Sequence, residues 1–76
     1  MKTRQLSDLG LSAYLSAVGH KLLGVERNGQ RGAFIFQDTP EIERDTLAYF
    51  NREGRVCPLS YHEALKNLKM LVMNQR

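Results

Sequence analysis

Asn28-Gly29 stands between two short apolar runs, and no other dipeptide of this chain restricts its fold as strongly. A type I′ turn needs positive φ at both central residues and matches the twist of the strands it joins, so Asn-Gly in this setting predicts a two-residue β-hairpin. With Asn28 and Gly29 at the turn, Arg27 pairs with Gln30, Glu26 with Arg31, Val25 with Gly32, Leu23 with Phe34 and Lys21 with Phe36. Leu23, Val25, Phe34 and Phe36 then share one face, and Glu26 meets Arg31 as an opposite charge on the other. Leu22, Ala33 and Ile35 leave that second face half apolar. An isolated hairpin is marginal in water, so helices must cover the aromatic face, and a second copy of the chain is a candidate cover for Leu22 and Ile35.

The flanking segments read as helices. Leu11, Tyr14, Leu15 and Val18 recur at i, i+3, i+4, i+7, which predicts a first helix over about 7–18, with Gly19 closing it. Asp38-Thr39-Pro40-Glu41 is a helix start: Thr39 as N-cap, Pro40 at the first helical position and Glu41 at the positive end of the dipole. The second helix spans about 40–52, with an inner stripe of Ile42, Thr46, Tyr49 and Phe50, Leu47 at its margin and Gly54 as its closing residue. A third helix over about 59–73 follows from Pro58 or from the capping box Ser60-x-x-Glu63. Tyr61, Ala64, Leu65, Leu68, Leu71 and Val72 form its apolar stripe, with Met70 and Met73 beside the lysines as an adaptable contact patch.

The fold expected is therefore α+β, a single small domain over 1–76 in the order α-β-β-α-α. Its hairpin (about 20–27 and 30–37) packs against three helices, and residues 1–6, which carry no element signal, are a candidate for disorder. A chain of 76 residues buries only about 60 to 65% of its unfolded surface, so the stability margin is small. Cys57 is the single cysteine, which precludes an internal disulfide and agrees with a reducing compartment. The longest apolar runs, Ala33–Phe36 and Met70–Met73, fall far short of the roughly 20 residues that cross a bilayer. Without a signal-peptide pattern after Met1, a cytoplasmic protein with no membrane partner is the expectation.

The net charge of +3 is unevenly spread: Asp38, Glu41, Glu43 and Asp45 crowd one window with only Arg44 against them. This predicts an acidic corner on an otherwise basic domain, a field that favours polyanions or an acidic partner surface. Candidate phosphate contacts are Arg27 and Arg31 near the hairpin tip, Arg52 and Arg55 after the second helix, and Lys66 and Lys69 on the third. Candidate protein contacts are Leu22, Ile35, Met70 and Met73.

Three segments together resemble a family of short uncharacterised bacterial domains: Asp8–Leu15 with Gly19–Leu22, Phe34–Thr39, and Tyr61–Lys69. The shared positions are mostly core and cap residues, so the resemblance implies the fold and carries no active site. The bacterial and phage-like gene contexts of that family imply a nucleic-acid-associated role without assigning a residue to it.

The chemistry-bearing residues form no motif. Cys57-x4-His62 supplies two metal ligands where a structural zinc site needs four, so no metal or other cofactor is expected. Cys57 before Pro58 reads as a small buried apolar residue, and His20 as a cation at a helix C-terminus. The acidic window is explained by capping and dipole compensation. Arg31–Phe36 approaches the RNA-recognition-motif strand only with a gap, and that motif needs a four-stranded sheet. A helix-turn-helix needs a shorter turn than Arg52 to Pro58 allows. The expectation is a non-catalytic interaction or adaptor protein that self-associates, with no small-molecule ligand. The alternative is a nucleic-acid accessory protein of little sequence preference.

Overall fold

A computed structural model describes residues 2–28 and 31–74. The element order is β1 (Thr3–Leu6), α1 (Leu9–Ala17), β2 (Leu22–Asn28), β3 (Arg31–Gln37), α2 (Pro40–Phe50) and α3 (Pro58–Asn74). The architecture is α+β, and the three helices and the hairpin stand where their patterns predict. The strand β1 is an addition: Thr3–Leu6 is paired backbone, which corrects the assignment of residues 1–6 to a segment without structure.

The three strands form an antiparallel sheet in the order β1-β3-β2. Thr3 faces Gln37, and Leu6 faces Phe34. Leu6, Phe34 and Val25 thus make one row across the sheet, and Arg4, Phe36 and Leu22 the next. Phe34 and Phe36 point from this face into a core completed by Leu11, Ala13, Tyr14, Leu15, Ile42, Ala64 and Leu68. The helices cover that face, and the other face stays open.

The hairpin register is two residues away from the expected one. Asn28 faces Arg31, so the connecting residues are Gly29 and Gln30, which lie outside the described residues. A slip of two preserves the faces, because strand side chains alternate with period two. Val25 and Phe34 therefore still meet on the core side, now directly opposite each other. Glu26 faces Ala33 instead of Arg31, and its carboxylate accepts a hydrogen bond of 3.4 Å from Gln5 Nε2, reaching over the central strand.

An irregularity between Leu22 and Gly24 changes the far end of β2. The extra residue of a bulge reverses the alternation beyond it, so Leu22 turns to the core and Leu23 to solvent. This corrects the assignment of Leu22 to the open face. Ile35 does lie on that face, half-buried, with Gln5 and Gly24 as its neighbours.

Capping explains the helix boundaries. Asp8 accepts from the Leu11 N–H at 3.0 Å, so α1 starts at Leu9, two residues after the expected start. Gly19, at φ 111°, closes it: its N–H donates to Ser16 O and that of His20 to Leu15 O, the two bonds of a Schellman motif. Thr39 accepts from the Ile42 N–H at 3.1 Å with Pro40 next, as the sequence predicts for α2. The left-handed residue after α2 is Arg52 (φ 61°), not Gly54. Arg52 N–H donates to Tyr49 O and Glu53 N–H to Ala48 O, so a non-glycine residue holds the position that usually selects glycine.

Every residue from Leu11 to Leu15 is buried, because α1 is enclosed by α2, α3 and β1. The acidic corner is largely neutralised. Asp38 and Glu43 both pair with Arg4 at 3.0 Å, and Asp45 pairs with His20 and Arg44. The Arg4 bridges fasten the short β1 to the start of α2, together with the Asp38 N–H to Lys2 O bond.

Candidate interaction surface

The 17 residues of α3 run about 25 Å, and its two halves differ. Ala64 and Leu68 are the buried positions of its described residues. Beyond Leu68 the helix is apolar on nearly every side, yet Met70 is 52%, Leu71 42% and Met73 76% exposed. At 100° per residue, Met70, Leu71, Val72 and Met73 point in four directions, a pattern normally found where a helix is enclosed. Val72 packs against the core from this end, next to β3: a Cβ on Gly32 would stand 3.1 Å from Val72 Cγ2.

Beside this half-helix an open groove of about 420 Å³ runs between α3 and the sheet, lined by Ser7, Leu9, Phe34, Lys69, Val72 and Met73 among others. The expected contact residues Met70 and Met73 therefore lie on one exposed apolar end of α3. Leu71, a member of the apolar stripe expected to face inward, joins them. Leu47 and Phe50 on α2 are also more than half exposed, which corrects the expectation of Phe50 on the inner stripe. It stacks edge-on against Tyr49 with ring centroids 5.3 Å apart.

The basic residues fall into two groups. Lys66 and Lys69 are exposed on α3, and Lys69 borders the groove. Arg27 and Arg31 sit by register at the hairpin end next to Gly32, the strand position that abuts Val72. Arg52 and Arg55 are exposed beyond α2, toward the start of α3. None of Arg52, Arg55, Lys66 and Lys69 forms an ion pair with another described residue.

Cys57 is exposed, a correction to its reading as a buried apolar residue. It immediately precedes α3, and its carbonyl accepts from the Tyr61 N–H at 3.0 Å. The backbone N–H and hydroxyl of Ser60 hold its thiol below the usual cysteine range, as the positive end of a helix does. His62 is exposed on the first turn of α3, and His20 is engaged by Asp45 at 2.6 Å. Among the described residues no group of three or more His, Cys, Asp or Glu side chains is placed to hold a metal ion. No helix among them is long and apolar enough to cross a membrane.

Residues 1–74 match the model of a family described as a domain of unknown function, DUF5659, and the chain belongs to that family. No curated protein and no solved structure matches the chain.

Proposed function

We propose that the protein is a non-catalytic interaction module that pairs with a second copy of itself through the C-terminal half of α3. The observation that carries this reading is the exposure of Met70, Leu71 and Met73 together at the apolar end of α3.

Two copies of one helix end meet most simply about a two-fold axis, with the flexible methionines adapting to each other and the lysine heads remaining in water. The sheet edges suit this role less well. β1 is short, and β2 carries a bulge, both devices that discourage strand-to-strand pairing. His20 is held by Asp45 as part of the fold, which supports the non-catalytic reading. A lone free thiol suits the cytoplasm. Amide hydrogen exchange at low and high protein concentration tests the interface: protection over Lys69–Met73 rises with concentration if copies pair there, and stays constant if they do not.

A second reading has its own observation. Lys69 shares a groove with Gly32, next in register to the strand positions of Arg27 and Arg31, and Lys66 lies one turn earlier on α3, an arrangement suited to phosphate contacts without base readout. Lys66→Glu with Lys69→Glu then weakens binding of duplex and single-stranded DNA equally and reduces its salt dependence. Equal binding by that variant and the parent chain rejects this reading.

A further inference from the structure

All three tyrosines of the chain converge on one cleft. Tyr14 from α1, Tyr49 from α2 and Tyr61 from α3 line it with Arg52, Gly54 and Val56, enclosing about 340 Å³. Sequence places these residues on three separate apolar stripes, and only packing brings them together. The rings of Tyr14 and Tyr49 are 5.5 Å apart and inclined by 38°. Tyr61 donates to the Gly10 carbonyl at 3.3 Å. Burial, with help from Tyr61, pushes the Tyr49 phenol above its usual range, so it stays neutral.

The cleft is built by close approach. A Cβ on Gly54 would stand 2.6 Å from Tyr14 Oη, and one on Gly10 would stand 2.7 Å from Tyr49 Oη. Glycine at both positions lets the phenols reach the cleft. Tyr14 is only 6% exposed, and its hydroxyl lies beside Gly54 at the cleft, where it can donate to or accept from a bound molecule.

Arg52 provides the charge. It stands on the cleft wall in the left-handed conformation at φ 61°, where glycine is the unstrained choice. It also has no acidic partner among the described residues. Strained non-glycine backbone of this kind concentrates at ligand sites. A lone guanidinium matches one planar carboxylate in bidentate fashion, and tyrosine faces receive a flat ring. The Asp8 carboxylate near Gly10, already bonded to the Leu11 N–H, disfavours an anion of higher charge such as phosphate.

We propose that this cleft binds a small aromatic carboxylate, its ring against the tyrosines, its carboxylate on Arg52 and a hydrogen bond to the Tyr14 hydroxyl. The chain has no tryptophan, so its intrinsic fluorescence comes entirely from these tyrosines. The test is titration of the full chain with sodium benzoate, followed by isothermal calorimetry and by amide shifts in NMR, with benzamide, cyclohexanecarboxylate and inorganic phosphate as parallel probes. Saturable benzoate binding with a Kd of about 1 mM is expected for a ligand of this size. The expected shifts centre on Tyr14, Tyr49, Arg52 and Tyr61, and each parallel probe binds at least about tenfold more weakly. Arg52→Gly retains the backbone conformation and Tyr14→Phe the ring, so both variants fold. Each lowers benzoate affinity, Arg52→Gly by about tenfold or more. The proposal is overturned by absence of saturable binding up to about 20 mM benzoate, by benzamide binding as tightly as benzoate, or by an unchanged Kd in Arg52→Gly.

Discussion

His20 Nε2 lies 2.6 Å from Asp45 Oδ2, and this contact ties the loop after α1 to the middle of α2. Hydrogen bonding to His20, aided by Arg44, holds the Asp45 carboxyl below its ordinary value of 3.8. A group whose folded-state pKa is lowered stabilises the fold in its charged form. The contribution is complete above about pH 5 and disappears as pH falls from about 4 through the lowered pKa. Asp45→Asn should flatten the acid limb of a stability-versus-pH curve over that window. His20→Ala should cost about 1–2 kcal/mol near neutral pH by urea unfolding.

Arg52 occupies the left-handed position of the Schellman motif after α2. A non-glycine residue there costs about 1–2 kcal/mol, partly offset by the greater freedom of glycine in the unfolded chain. Arg52→Gly should therefore raise stability by about 0.5–1 kcal/mol in urea unfolding. A stability gain accompanied by loss of benzoate affinity identifies Arg52 as a residue kept at the expense of the fold.

Gly54 has the opposite constraint. A methyl group there would stand 2.6 Å from Tyr14 Oη and 2.7 Å from Cζ, on a buried ring that has little room to retreat. Gly54→Ala should destabilise by about 1–3 kcal/mol, the usual effect of overpacking. Gly54→Ala combined with Tyr14→Leu should recover much of that loss, and absence of recovery places the strain elsewhere.

Ser12 is fully buried in α1, and its hydroxyl has no hydrogen-bond partner among the described residues. Removing an unsatisfied buried hydroxyl relieves a desolvation cost, and alanine is the better helix former. Ser12→Ala should stabilise by about 1 kcal/mol, read as a higher urea midpoint at constant m-value.

Local chemistry made the helix ends legible. Thr39-Pro40 and Gly19 act through their own backbone geometry, and each does in the fold what its residue type implies. The strand β1 was not legible. Thr3–Leu6 has three polar or charged residues and a single apolar one, and its pairing partner β3 lies far along the chain, so no local pattern marks it. The hairpin register slipped because the Asn-Gly signal competes with a row of apolar residues, Leu6, Phe34 and Val25, that a two-residue shift aligns. The bulge at Leu22/Gly24 then exchanged the roles of Leu22 and Leu23. At the candidate surface, Met70 and Met73 were legible from their place off the main stripe. The exposure of Leu71 was not, because the apolar stripe runs on to Val72, which is covered, and no local pattern distinguishes the two. The tyrosine cleft has no sequence signature, since each of its phenols belongs to a different helix.

Sedimentation equilibrium over about 5 µM to 1 mM protein, in reducing buffer so that the exposed Cys57 cannot cross-link copies, tests self-association most directly. The parent chain should shift from monomer to dimer with rising concentration, while Met73→Glu remains monomeric over the whole range. A parent chain that stays monomeric at the highest concentration contradicts the account, as does a Met73→Glu variant that dimerises with the parent's affinity.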